Sequence, residues 1–144
     1  MGKVNNCTTC TICRIIAGEL PSAPVLDSPE VIAFMDLCQP QPGHVLVVPR
    51  AHYARLSELP AELACAMTRV ALRLTAAIYR TLAPAGVNLT LADGRAAGQE
   101  IMHVHLHIRP RAPGDRVLTV RSCNPSNQAE LAALAARIRT GLAE

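Results

Sequence analysis

Apolar positions recur along this chain with two distinct periods, and the periods divide it into elements. Val25-Leu26-Asp27 and Val31 to Asp36 alternate with a period of two, the second placing Ile32, Phe34 and Asp36 on one face. Ser28-Pro29-Glu30 between them is turn chemistry, so the two read as a hairpin. His44 to Pro49 is almost continuously apolar, the mark of a strand buried on both faces. Val87 to Ala92 alternates again, with Val87, Leu89 and Leu91 set against Asn88 and Thr90. The helical period appears at Leu63, Met67, Val70, Leu74, Ile78 and Leu82, predicting a long helix that begins at Pro60 and stops at Pro84-Ala85-Gly86. Ala64, Ala71 and Leu72 widen its apolar surface, enough to pack on its own sheet and on a second subunit. A short helix is expected over Thr11 to Leu20 with Gly18 near its end, and a helical turn within 53–59. Asn127 and Glu130 form a capping-box pattern ahead of Leu131, Leu134, Ile138 and Leu142, predicting a C-terminal amphipathic helix. Val117 to Arg121 reads as a short extended piece. Strands in hairpins with separate helices predict an α+β fold on an antiparallel sheet. No repeat or linker interrupts it, so residues 10–144 are expected to form one domain behind a flexible arm, residues 1–9.

One further strand carries the chemistry. From Gln99 to Arg111 the chain reads His103-Val104-His105-Leu106-His107-Ile108 at its centre. A strand puts the three histidines in one file and Val104, Leu106 and Ile108 on the core side. The following Arg109-Pro110 is expected to end it. Three imidazoles in a file suit metal binding, anion binding, or nucleophilic and proton chemistry near neutral pH.

Composition narrows these choices. The 144 residues are 50% apolar, with no Trp, one Phe and two Tyr, so the core is aliphatic. A net charge of +3 with scattered basic residues excludes a broad nucleic-acid surface and fits an anionic small molecule. No apolar run reaches the ~20 residues of a membrane span, and Met1 to Asn6 carries no secretory signal, so a cytoplasmic protein with reduced thiols is expected. Cys7-Thr8-Thr9-Cys10 and Cys10-Thr11-Ile12-Cys13 are overlapping C-x-x-C units, which in a reducing compartment point to metal or redox chemistry. Cys38, Cys65 and Cys123 stand singly and read as small core residues.

Several segments together resemble the histidine triad (HIT) family of nucleotide-binding proteins. The His-φ-His-φ-His-φ-φ motif is matched from His103 to Arg109, with Arg109 at a normally apolar position. Ala97-Gly98-Gln99 precedes it as in the family. Pro42-Gly43-His44-Val45-Leu46-Val47-Val48-Pro49-Arg50-Ala51-His52 resembles the family's PGH segment. Phe34-Met35-Asp36 resembles its F-x-D element, and Cys10 to Pro21 its bacterial N-terminus. These motifs occur in family order and include all five histidines.

The resemblance implies a HIT-like fold: an antiparallel sheet of about five strands, a long helix, a C-terminal helix and a homodimer. It implies that His105 attacks the α-phosphorus of a nucleoside phosphoramidate or related (di)nucleotide. A nucleotidyl-histidine forms and water releases a nucleoside monophosphate. His107 would contact a phosphate oxygen, and His103 completes the catalytic triad. Asp36 would accept from both ribose hydroxyls, a task suited to an acceptor-only carboxylate. Ile12, Ile15, Leu20, Phe34 and Leu37 would line a slot for a purine, while His44, Gln99 and Glu100 also join the substrate site. Ala92 departs from relatives that carry an amide there. Zinc-bearing bacterial members imply a structural zinc on Cys10, Cys13, His52 and His103, with no cofactor needed for the chemistry and Cys7 as a spare ligand. Two other readings stand beside this one: a non-catalytic purine-nucleotide-binding or interaction protein, and a catalytic metal held by His103, His105 and His107.

Overall fold

The computed structural model describes residues 7–118 and 123–143. Five strands are β1 (Pro24–Asp27), β2 (Val31–Met35), β3 (Val45–Pro49), β4 (Gly86–Thr90) and β5 (Leu106–Arg111). Three α-helices are α1 (Thr11–Ile16), α2 (Ala61–Leu82) and α3 (Gln128–Leu142). The strands form one sheet in the order β1-β2-β3-β5-β4, and every neighbouring pair is antiparallel. The α+β class and the hairpin of β1 and β2 are as expected.

The two faces of this sheet explain the patterning. Val31, Ala33, Met35, Val45, Val47 and Ile108 face one way, against Leu63, Met67, Leu74 and Ile78 of α2 and Leu131 and Ile138 of α3. Ile32, Phe34, Leu46 and Val48 face the other way, against Cys10 and Ile12. Because both faces are covered, all five positions of β2 and of β3 are buried. Helices α2 and α3 cross closely at Gly141, where a Cβ would come within 2.9 Å of the Ala77 carbonyl oxygen.

Element ends differ from expectation for local reasons. Pro60 caps α2 rather than opening it: its ψ of 140° lies outside the helical range, while its carbonyl accepts from the N–H groups of Leu63 and Ala64. The helix ends at Ala83, left-handed at φ 49° and ψ 48°, because Pro84 disfavours a helical residue before it. Gly86 is therefore the first residue of β4, not part of the stop. Helix α1 is shorter than expected, and Gly18, at φ +78°, completes the turn after it. The helical turn within 53–59 is a 3-10 turn over Leu56–Glu58. The C-terminal capping box is formed as expected, with the Asn127 side chain accepting from the Glu130 N–H. Of the extended piece expected over Val117 to Arg121, residues 119–121 lie outside the described residues, as do residues 1–6 of the arm; Val117 and Leu118 form a turn.

The histidine strand is displaced toward the C-terminus. Strand β5 starts at Leu106, so His103 and His105 precede it, and it continues through Pro110 to Arg111. β3 pairs only with Leu106 to Ile108, so the Pro110 position has one sheet neighbour, β4, and tolerates a residue with no N–H. Upstream, the Pro49 carbonyl is bonded not to a strand partner but to the His103 ring.

The six cysteines divide differently from the expectation. Cys38 and Cys123 are joined as a disulfide across 85 positions, and Cys65 is exposed on α2, so none of the three is a solitary core residue. No helix among the described residues is long and apolar enough to cross a membrane.

Candidate functional site

The segment from His103 to His107 sends its three rings into different company. His103 is fully buried and turns Nδ1 toward Cys10, Cys13 and His52. Its Nδ1 lies 3.6 Å from both sulfurs and 3.3 Å from His52 Nδ1, and Cys13 Sγ lies 3.4 Å from His52 Nδ1. A tetrahedral zinc with the usual Zn–S and Zn–N bond lengths sets its ligand atoms about 3.3–3.8 Å apart. The donor set and spacing therefore fit zinc. The His103 Nε2–H donates to the Pro49 carbonyl at 2.8 Å, leaving the lone pair on the nitrogen that faces the cluster. Burial pushes His103 down to about 4, which keeps the ring neutral and ready to ligate. Burial and then the neighbouring Cys10 thiol push Cys13 up to about 12, a conflict that a thiophilic cation would remove. Cys7 stays outside the four and contacts Thr9 instead.

His105 occupies the middle. Its Nδ1–H donates to the His103 carbonyl at 2.7 Å, so the neutral ring carries its lone pair on Nε2. The ring is nearly buried, and its centroid lies 4.9 Å from that of His107. The carbonyl that would orient this ring could not be named from sequence, because the bond joins residues two apart through the bend before β5.

His107 belongs to a third group. Its Nδ1 is 2.9 Å from His44 Nε2, and His44 Nδ1–H donates to the Cys38 carbonyl at 2.9 Å. Asp36 Oδ2 stands 3.6 Å from His44 Nε2, while Asp36 Oδ1 accepts from the Cys38 N–H. Burial, then the Arg109 guanidinium, pushes His107 down to about 3. Burial also lowers His44, opposed by Asp36. Thus the three histidines do not share one metal: His103 joins the cysteines, His107 joins Asp36 and His44, and His105 joins neither.

Beside this group lies a cavity of about 260 Å³ lined by Thr11, Ile12, Ile15, Leu20, Phe34, Asp36, Leu37, Leu46 and Ile101 among others. All five apolar residues expected to form a slot are in its wall. Asp36 is its carboxylate, 3.6 Å from His44 Nε2, and Leu46 of its wall is the ladder partner of His107. The arrangement is an apolar slot with one carboxylate, Asp36, in its wall.

None of the histidines lines that cavity, and neither do Gln99 and Glu100. Gln99 is buried, and its amide is spent on the Gly94 N–H and the Ala54 and Ile101 carbonyls, so it braces its loop instead of facing a substrate. His44 is buried, bonded to the Cys38 carbonyl and 2.9 Å from His107 Nδ1. His103, expected both in the triad and among the zinc ligands, has one nitrogen facing the metal-type cluster and the other bonded to Pro49. Glu100 is exposed on the same loop. Sequence reasoning assigned no role to Arg109, whose Nη2 lies 3.3 Å from His107 Nδ1. The available signal was its position two residues beyond His107, on the same strand face.

Fold and site together define a class: small α+β proteins with an antiparallel five-stranded sheet, an apolar slot and three alternating histidines. The HIT domain pattern matches residues 17–114, and the chain belongs to that family. It is 41% identical over 106 residues to an uncharacterised HIT-like protein of Methanocaldococcus jannaschii, covering 74% of this chain and 81% of the relative. It is 33% identical over 103 residues to the adenosine 5′-monophosphoramidase of Schizosaccharomyces pombe, covering 72% of this chain and 74% of the enzyme. Among solved structures, a zinc-bound histidine triad family protein from Mycobacterium smegmatis superposes with a TM-score of 0.81 at 28% identity, covering 94% of each chain.

Proposed function

We propose that this protein is a nucleotide hydrolase or transferase that cleaves the α-phosphate bond of nucleoside phosphoramidates or related (di)nucleotides. The observation that carries this reading is the 2.7 Å bond from His105 Nδ1–H to the His103 carbonyl, which leaves Nε2 as the nitrogen available to attack. A purine packs between Ile12, Ile15, Phe34 and Leu37, and its ribose hydroxyls donate to Asp36. The Nε2 lone pair forms a bond to the α-phosphorus. The bond to the leaving group breaks, and the departing atom takes the electron pair and a proton from solvent water. His107 donates Nε2–H to a phosphate oxygen as charge gathers there. Water then attacks the nucleotidyl-histidine, releasing a nucleoside monophosphate and restoring His105. The named activity of the fission-yeast relative supports this substrate class.

Two structural features accompany the reaction. Cys10, Cys13, His52 and His103 would hold a zinc ion, which would tie α1 to the bend before β5 and supply stability, not chemistry. A homodimer forms through α2 and β4: Leu72 and Tyr79 are 64% and 45% exposed on α2, and Leu89 is 48% exposed on β4, the last strand of the sheet.

The test is release of AMP from adenosine 5′-phosphoramidate. The wild type turns it over, and His105→Asn binds AMP but releases none. Binding without turnover by the wild type would leave a non-catalytic nucleotide-binding protein.

A further inference from the structure

The residue the family pattern leaves unexplained is Arg109. It lies two positions beyond His107 on β5, so both side chains share a face of the sheet. Its Nη1 donates to Thr90 Oγ1 at 2.8 Å, and Thr90 is the ladder partner of His107. That anchor turns Nη2 back to within 3.3 Å of His107 Nδ1. We propose that Arg109 is a positioning residue: it donates to His107 Nδ1 and so holds that ring in the Nε2-protonated tautomer, the form that offers a donor to phosphate. This inference rests on the reaction proposed above.

The same nitrogen is contested. His44 Nε2 approaches it to 2.9 Å from the other side. His44 already donates through Nδ1 to the Cys38 carbonyl, so when neutral its Nε2 is a bare acceptor. A bare acceptor draws the His107 proton onto Nδ1, and Nε2 would then present a lone pair to an anionic phosphate. Arg109 opposes this. A guanidinium has five donors and no lone pair, so a proton on Nδ1 would meet an N–H head on. Only the Nε2–H tautomer accepts from Arg109, and it also accepts from His44 whenever His44 is protonated against Asp36, 3.6 Å away. The guanidinium beside Nδ1 also sets this group apart from the cysteine cluster, where the His103 Nδ1 faces two sulfurs and a second imidazole.

The experiment reads the tautomer directly, by long-range nitrogen-15 correlation spectra of the histidine rings in the substrate-free full-length protein near neutral pH. The variants are Arg109→Met, which keeps length without a donor, Arg109→Lys, which keeps a donor, and Thr90→Val, which removes only the anchor. The wild type and the Lys variant show His107 as Nε2–H. The Met variant moves it to Nδ1–H and lowers kcat about tenfold at nearly constant KM, less than the roughly hundredfold loss of a direct phosphate donor. Thr90→Val shifts the ring in the same direction by less, and decides the matter if the Met variant does not fold. A wild-type His107 protonated on Nδ1, or Arg109→Met and Thr90→Val variants that leave it Nε2–H, would overturn the proposal. A wild type that releases no AMP would refute the proposed reaction, while the spectra, which need no substrate, still decide the role of Arg109.

Discussion

Two histidine clusters flank His105, built from the same residue type on one short segment, yet they are opposite in chemistry. Around His103, metal-ligating atoms converge: two sulfurs and two imidazole nitrogens lie within 4.8 Å of one another. Around His107, donors converge: the Arg109 guanidinium reaches the ring nitrogen, and the Cys38 N–H reaches the neighbouring carboxylate. The first arrangement suits a soft cation and the second an anion. Neighbours set each ring's role, and the alternation along the chain does no more than deliver the rings to their neighbours. His105 stands between the two with its proton fixed by the backbone, so it is left free to react.

The most severe way to break this contrast is to remove the ring between the clusters. His105→Asn should lower kcat/KM for adenosine 5′-phosphoramidate by at least about 10⁴-fold, as loss of a covalent nucleophile does, with an unchanged melting temperature. Next comes the cysteine side. Cys13→Ser, or stripping metal with a chelator, should cost several kcal/mol of stability in denaturant titrations, while turnover of the remaining folded protein in the cold stays close to wild type. Loss of turnover without loss of stability would reverse the assignment. On the anion side, Asp36→Asn should weaken ribonucleotide substrates roughly 10–100-fold, the value of a charge-assisted hydrogen bond, and should abolish discrimination against 2′-deoxy analogues. Acid sharpens the same contrast. The folded His107 has its pKa lowered from 6.5 to about 3, so the unfolded ring takes up a proton that the folded ring refuses. Stability is therefore full above pH 6.5 and declines as pH falls toward 3, and His107→Gln should flatten that limb of the urea-midpoint profile. The smallest effect lies away from both clusters: Asn127→Ala should cost about 1 kcal/mol through the lost cap of α3 and leave turnover untouched.

Much of the frame was legible because it depends on repeating patterns. The stripe on α2 buries Leu63, Met67, Val70, Leu74 and Ile78 as its spacing requires. The unbroken apolar run of β3 is buried at every position, as a strand packed on both faces must be. Asp36, the apolar wall residues and the four clustered Cys and His residues were all named through the family resemblance, not through periodicity. What stayed hidden depends on single contacts between distant or irregular segments. Strand β5 begins late because the Pro49 carbonyl is taken by a side chain, and no periodicity encodes that. Gln99 looks like a polar residue at the mouth of a site until its three backbone partners are seen. Cys38 and Cys123 find each other across 85 residues that carry no spacing rule. Arg109 was visible as an oddity in the motif, but its meaning needed the Thr90 anchor that turns it back on His107.

The central claim is that the ring between the two clusters is the nucleophile, and the most direct measurement is to catch the covalent intermediate. The protein would be mixed with adenosine 5′-phosphoramidate, quenched in alkali within the first turnover, digested and mapped by tandem mass spectrometry. The predicted result is a single adenylyl adduct on His105 that disappears on a chase with water and is absent from His105→Asn. An adduct on His103 or His107, or AMP release in step with turnover and no adduct on any histidine, would contradict it.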